Sequence, residues 1–230
     1  MEERRKFARM AARGVHDKVL ALALPYLEHR RMLVAGAGEG ALENALLAKG
    51  IDASRITSVD INPAQFKVRR LNCLYCDLNE TMPFDDESFD VCFAVEVIEH
   101  LNHPQKFIDE IHRILVPEGL LFLSTPNVHS IAQKIRFLFT DELHWFRDKD
   151  YRNLGHIHPI FDWLLRRMVT GRFEVLVYDS QRFRLRLLTK APGIPVPVKH
   201  RYFADNNIYV MRKPGPLEAL TQPNLPVTPS

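Results

Sequence analysis

The chain has 230 residues, of which 46% are hydrophobic and 26% charged, a balance that excludes a disordered or fibrous protein and fits a globular one. A formal net charge of +3 with ten histidines permits an anionic partner without requiring one. Three cysteines, an odd number, exclude a disulfide framework.

Residues 1–30 read as a basic amphipathic helical lead-in, with Phe7, Met10, Val15, Val19 and Leu22 apolar and a stop near Pro25. The opening "MEERRKFARM" is too charged for a secretory signal, and no apolar run approaches the ~18 residues of a membrane span. A cytoplasmic protein without a membrane span is therefore expected. Residues 31–212 then alternate short apolar runs with helical patterns. "RMLVA" predicts a strand and "ALENALLAK" a helix. "ITSVD" predicts a strand, "PAQFKVRR" a short helix, and "LNCLYC" and "FDVCFAV" two more strands. "PQKFIDEIHRIL" predicts a helix whose apolar face is Phe107, Ile108, Ile111, Ile114 and Leu115. "PEG" turns the chain into "LLFLST", a run apolar almost throughout, as in a strand covered on both faces. This alternation predicts an α/β domain with a parallel sheet.

After that sheet core comes an aromatic and basic stretch, "VHSIAQKIRFLFTDELHWFRDKD", predicted to be an insertion over about 128–158 that covers the substrate. "PIFDWLLRRMVTGRFEVLVYD" predicts a helix and a strand, and "NNIYVMRKP" the last strand, with "PGIPVPVKHRYFADN" as the loop between the final two strands, a further contact candidate for substrate or membrane. Residues 213–230 read as a flexible proline-rich tail. Cys73 and Cys76 form a lone CxxC without a second pair, and are read as packing residues rather than zinc ligands.

"LVAGAGEGALENALLAKG" places Gly36, Gly38 and Gly40 between the first strand and the first helix, where open α/β sheets bind ligands. Asp60 ends the second strand about twenty residues later, a position from which a carboxylate accepts both hydroxyls of a ribose. Together they point to an adenosine-containing cofactor without choosing one. A helix cap before "NPAQF" is the plainer role for Asp60.

The stretch from Cys76 to Asn127 carries "CDLNETMPF", "SFDVCFAVEVIEHL", "VPEG" and "TPN". In these motifs the chain resembles the class I S-adenosylmethionine-dependent methyltransferases, of the methyltransferase type 11/23 kind, near the quinone-biosynthesis O-methyltransferases. The likeness extends over roughly residues 31–170. It implies a Rossmann-like fold: a mostly parallel seven-stranded sheet with an antiparallel last strand and helices on both faces. It implies S-adenosylmethionine as cofactor. Gly36, Gly38 and Gly40 would meet its methionine part, Asp60 the ribose, Ile61 and Leu78 the adenine faces, Asp77 the adenine amino group, and Glu96 would lie beneath the sulfonium. Ala35 and Ala37 stand where the family usually has an acidic residue and a cysteine.

An oxygen acceptor must lose a proton, so a base or a metal helps. His100 in "EVIEH" and His156 and His158 in "GHIHP" are the candidates, with His158 placed first. Glu96, Glu99 and His100 form ExxEH, to which His156 or His158 could add a ligand. This set resembles that of metal-dependent small-RNA 2′-O-methyltransferases. "EVLEH" is widespread in metal-free members of the superfamily, so a divalent metal is admitted but not expected. The expected reaction is O-methylation of a small molecule. A metal-assisted RNA 2′-O-methyltransferase is the alternative, and the intact glycine loop, Asp60 and Asp77 speak against a non-catalytic binding module. Nothing in the sequence sets an oligomeric state.

Overall fold

A computed structural model describes residues 14–180, 184–185, 194–195 and 201–216. Seven strands form one sheet: β1 (Met32–Ala35), β2 (Ile56–Asp60), β3 (Cys73–Tyr75), β4 (Phe89–Val95), β5 (Leu115–Pro126), β6 (Glu174–Ser180) and β9 (Asn206–Arg212). Their order is β3-β2-β1-β4-β5-β9-β6. β9 runs antiparallel to both its neighbours, and the pairings from β3 through β5 are all parallel. β7 (Arg184–Leu185) and β8 (Ile194–Pro195) form a separate antiparallel pair.

Each strand feeds side chains alternately to two cores. On one face Leu33, Ala35, Cys92, Ala94, Leu121 and Leu123 meet α3 (Pro104–Ile114) through Phe107, Ile108, Ile111 and Ile114, and α6 (Asp162–Val169) through Leu165 and Val169. On the other face Met32, Val34, Val91, Phe93 and Phe122 meet α2 (Ala41–Ala48) through Leu42 and Leu46. The helix over 14–23, α1, adds Val15, Val19, Leu20 and Ala23 to that second core, so the lead-in closes the sheet. Both faces are covered, which is why the central strands read as continuous apolar runs.

The expected boundaries shift in three places. "PAQFKVRR" makes only one 3₁₀ turn, Pro63–Gln65, because Phe66 and Val68 fold inward against Gly40. The "PEG" turn lies inside β5: Glu118 takes φ +63°, and the β4–β5 register shifts between Phe89 and Val91. Lys213, where the tail is expected to begin, is buried, and its Nζ donates to the Leu115 carbonyl at 2.7 Å. Phe7, Met10, residues 192–193 and 196–200 of the expected loop, and residues 217–230 lie outside the described residues. No helix among the described residues is long and apolar enough to cross a membrane. Cys73, Cys76 and Cys92 are unpaired, and burial raises each thiol's pKa.

Glu43 of α2 lies under the glycine loop, fully buried, with Oε1 accepting from Ser58 Oγ at 2.8 Å and Oε2 without a partner. Burial, with a smaller push from Asp60, raises its pKa from 4.5 to about 7. A carboxyl raised on folding contributes full stability below its unfolded pKa and loses it as pH rises through 7. Between pH 4.5 and 8 this group is expected to cost on the order of 3 kcal/mol of stability. Glu43→Gln, the neutral isostere, should flatten that slope in urea unfolding. An unchanged slope would show that Glu43 stays charged in the fold.

Candidate active site

Strand order reverses between β1 and β4, and the candidate residues gather at the carboxyl ends of these strands. Gly36, Gly38 and Gly40 follow β1 with φ +74°, +56° and +87°, backbone that disfavours any side chain. Their surroundings differ. A Cβ at Gly36 would stand 2.5 Å from Val97, and one at Gly40 would overlap Val68 and Phe66. At Gly38 nothing lies within 4 Å. Two glycines are therefore bare because the protein's own side chains occupy the space, and Gly38 alone faces open space.

These differences separate two substitutions. Gly40→Ala should cost stability, about 1–2 kcal/mol for the left-handed backbone alone, with the overlap added. Gly38→Ala should incur the backbone strain only. Urea unfolding of both variants checks this; equal losses would mean that the contacts of Gly40 with Phe66 and Val68 relax freely.

Asp60, at the end of β2, is nearly buried. Oδ2 accepts from the Gly38 amide at 2.8 Å, and Oδ1 from the Asn62 amide at 2.8 Å and Gln65 Nε2 at 3.2 Å. The carboxylate thus holds the glycine loop to the turn after β2, whose N-cap residue is Asn62, without a side-chain cap bond. Ile61 beside it is 56% exposed. Asp77 Oδ1 accepts from the Asn79 amide and Nδ2, while Asn79 Oδ1 accepts from the Asn102 and His103 amides, tying this loop to the start of α3. Leu78 is buried in the core cluster on the α3 face of the sheet.

"EVIEH" does not form an α-helix. Glu96 takes φ +57°, and a 3₁₀ turn spans Ile98–His100. Glu96, Glu99 and His100 therefore do not share a helical face. Glu96 turns away to Ser124 Oγ, which donates to its Oε1 at 2.8 Å, and to Asn206. Burial raises its pKa to about 7. Glu99 is fully buried with the Thr125 hydroxyl beside its carboxyl, and burial, followed by the nearby Glu96, raises its pKa well above 4.5.

Glu99, His100 and His156 come together instead, each with one ligand-capable atom within 4.8 Å of the others. The His100 and His156 rings meet edge-on at 4.7 Å. His156 follows α5 (Asp148–Leu154), whose cap Gly155 has φ +75°. His156 Nδ1 lies 2.8 Å from the Trp145 carbonyl, which can only accept. This assigns the proton to Nδ1 and leaves a lone pair on Nε2. Burial, then neighbouring His100, lowers its pKa to about 4. Burial lowers that of His100 as well. Both imidazoles are therefore neutral at pH 7. The amides of Ile157 and His158 donate to the Glu99 carbonyl at 2.9 and 3.0 Å, fastening this loop to the end of the 3₁₀ turn. His158 is not part of the three-residue cluster. The roles of Asn206 and Ser124 had no signal in the sequence, since both come from strands far from "EVIEH".

Residues 33–123 match the family described as Methyltransferase domain. This segment is therefore similar to a methyltransferase domain. The chain is 29% identical over 126 residues to the rat mitochondrial ubiquinone biosynthesis O-methyltransferase, covering 51% of this chain and 36% of that protein. It is 27% identical over 187 residues to the malonyl-(acyl-carrier protein) O-methyltransferase of Halorhodospira halophila, covering 75% of this chain and 58% of that one. The chain thus spans from about a third to rather over half the length of these relatives. Its fold matches an Archaeoglobus fulgidus SAM dependent methyltransferase with a TM-score of 0.63 at 17% identity, covering 87% and 94% of the two chains. The family's cofactor is S-adenosylmethionine. The observed sheet is the expected one, mostly parallel with one reversed strand, and that strand lies between β5 and β6.

Proposed function

We propose that this methyltransferase transfers the methyl group of S-adenosylmethionine to an oxygen of a small-molecule acceptor. The observation that carries this reading is the pair of neutral imidazoles, His100 and His156, beside a buried carboxylate at the end of β4. An oxygen acceptor needs its proton removed, and a neutral imidazole accepts one. Both relatives above are named O-methyltransferases, which supports oxygen as the acceptor atom.

In this reading Gly38, with its open space, meets the methionine part of the cofactor, and Gly36 and Gly40 shape the loop around it. Asp60 takes the ribose hydroxyls, Asp77 the adenine amino group, and Ile61 and Leu78 flank the ring. Glu96 lies below the sulfonium. The sulfonium supplies an already activated methyl group, so the chain's own part is alignment and proton removal. The insertion over 128–158, here α4 (Ile131–Thr140) and α5, covers the acceptor as part of a single domain. Unpaired Cys73, Cys76 and Cys92 fit a reducing cytoplasm.

A second reading has one observation in its favour: the buried Glu99 carboxyl gathers with two neutral imidazoles, a donor set suited to a divalent cation. The Trp145 carbonyl on His156 Nδ1 is the kind of outer contact that orients a ligating imidazole. Glu99, His100 and His156 would hold the ion, which would polarise the acceptor oxygen; an RNA 2′-hydroxyl would be one such acceptor. Calorimetry with S-adenosylmethionine and with NAD, then an acceptor screen with labelled cofactor, tests the first reading. Tighter binding of NAD would overturn it. Loss of turnover on adding a chelator, restored by magnesium or zinc, would favour the second.

A further inference from the structure

Trp145 sits in a turn built for a smaller residue. The Phe146 amide donates to the Leu143 carbonyl at 3.1 Å, closing a four-residue turn, and Trp145, its third residue, takes φ +77°. A positive φ at this position belongs to a type II turn, where glycine is the usual occupant. A bulky aromatic residue is strained there, and the strain persists only where the surroundings fix the backbone.

Gln133 fixes it. Ser130 and Gln133 have the S-x-x-Q spacing of a capping box, and Ser130 Oγ, at the N-cap of α4, accepts from the Gln133 amide at 3.3 Å. The Gln133 side chain goes to the turn. Its Nε2 donates to the His144 carbonyl at 3.2 Å, and its Oε1 accepts from the His144 amide at 2.7 Å. Gln133 is 6% exposed, so little water competes for these bonds. The His144 carbonyl belongs to the peptide that joins His144 to Trp145, and the plane of that peptide sets the φ of Trp145. On the far side of the same residue, the Trp145 carbonyl meets His156 Nδ1 at 2.8 Å. One strained residue therefore links a glutamine of α4 to the imidazole.

We propose that Gln133 is a positioning residue for His156. By gripping the His144 backbone it holds Trp145 in left-handed backbone, and the Trp145 carbonyl then keeps His156 as the Nδ1–H tautomer with Nε2 bare. Without the grip, Trp145 relaxes toward negative φ, its carbonyl leaves Nδ1, and the proton is no longer confined to that nitrogen. The Phe146 ring, 5.4 Å from that of His156, moves with the same turn. The proposal rests on the reading in which His156 Nε2 meets the reacting groups.

Nitrogen-15 NMR of the full chain, labelled at histidine and recorded at pH 7, tests it. The signals lost in His156→Ala assign His156. In the wild type this ring should give one protonated and one bare nitrogen, well separated. Gln133→Leu, similar in size and compatible with a helix, should draw the two signals together, as a ring exchanging between tautomers does. S-adenosylmethionine affinity, read by calorimetry, should match wild type. Glycine adopts φ +77° without strain, so in a Trp145→Gly background the same substitution should move the signals much less. Should leucine at position 133 prevent folding, Gln133→Glu keeps the acceptor for the His144 amide, removes the donor to the His144 carbonyl, and should shift the signals in the same direction. Unchanged His156 signals in the folded variant would overturn the proposal, as would an equal change in both backgrounds. Normal turnover by His156→Ala would overturn it from the other side, because the clamp would then position a group that the reaction does not use. That result comes from turnover and the others from the NMR signals, so the two failures are told apart.

Discussion

His156→Ala is expected to reduce turnover on a hydroxyl acceptor by roughly 10²-fold or more, with S-adenosylmethionine affinity nearly intact. The magnitude is that of losing general-base help, and the geometry says why His156 should carry it. Its Nδ1 is committed to the Trp145 carbonyl, its Nε2 holds a lone pair, and its pKa near 4 keeps that lone pair free at neutral pH. His158→Ala is the matched control. That residue's described bond is through its amide to Glu99, which alanine preserves, and turnover should fall little. The pH profile distinguishes the groups. If His156 accepts the proton, the acidic limb of kcat/KM lies near pH 4 and activity is flat through 7. A limb at higher pH would instead report the buried carboxyls, the Glu96–Glu99 pair or Glu43, each raised by burial. If the wild-type enzyme is itself stopped by a chelator, His156 acts as a metal ligand and not as a free base. Normal turnover by His156→Ala would remove the imidazole from the mechanism altogether.

Asp60→Ala should weaken S-adenosylmethionine binding by about 1.5–3 kcal/mol, the scale of losing charge-assisted hydrogen bonds. An ionised carboxylate offers about four acceptor positions. Gly38, Asn62 and Gln65 already occupy three in the absence of ligand. Two ribose hydroxyls therefore require Gln65, the longest and only side-chain donor of the three, to move aside. Gln65→Ala should consequently leave affinity unchanged or slightly improved, while Asp60→Ala loses it. Calorimetry on both variants reads the difference. Unfolding of Asp60→Ala should show a smaller loss, about 1 kcal/mol, since the Gly38 amide can turn to water. Unchanged affinity in a folded Asp60→Ala protein would leave the carboxylate as a strut for the glycine loop, with the ribose bound elsewhere.

Much of this molecule is legible along the chain because its determinants are local. The runs "RMLVA", "ITSVD" and "FDVCFAV" predict strands, and the spacing of Phe107, Ile108, Ile111 and Ile114 predicts a helix face, because side-chain direction follows backbone period residue by residue. A parallel, doubly covered sheet follows from their alternation, and the glycine loop falls after β1, where Gly36, Gly38 and Gly40 adopt left-handed backbone.

What the period does not encode is which distant side chains meet. Gly36 and Gly40 must be glycine because Val97, Phe66 and Val68 fill the space, a fact held in residues up to sixty positions away. The expected helix over "PAQFKVRR" gives way because burying Phe66 and Val68 against Gly40 outweighs weak local propensity. "EVIEH" has the spacing of a helix, yet Glu96 adopts φ +57° where its amide bonds to Ser124, and the three candidate ligands are redistributed. His156 joins His100 and Glu99 while His158, two residues on, does not, because Gly155 ends α5 in left-handed backbone and the amides of residues 157 and 158 fasten onto Glu99. Sequence spacing determined where the strands and the loop lie; long-range packing and hydrogen bonding decided which carboxylate and which imidazoles share the site.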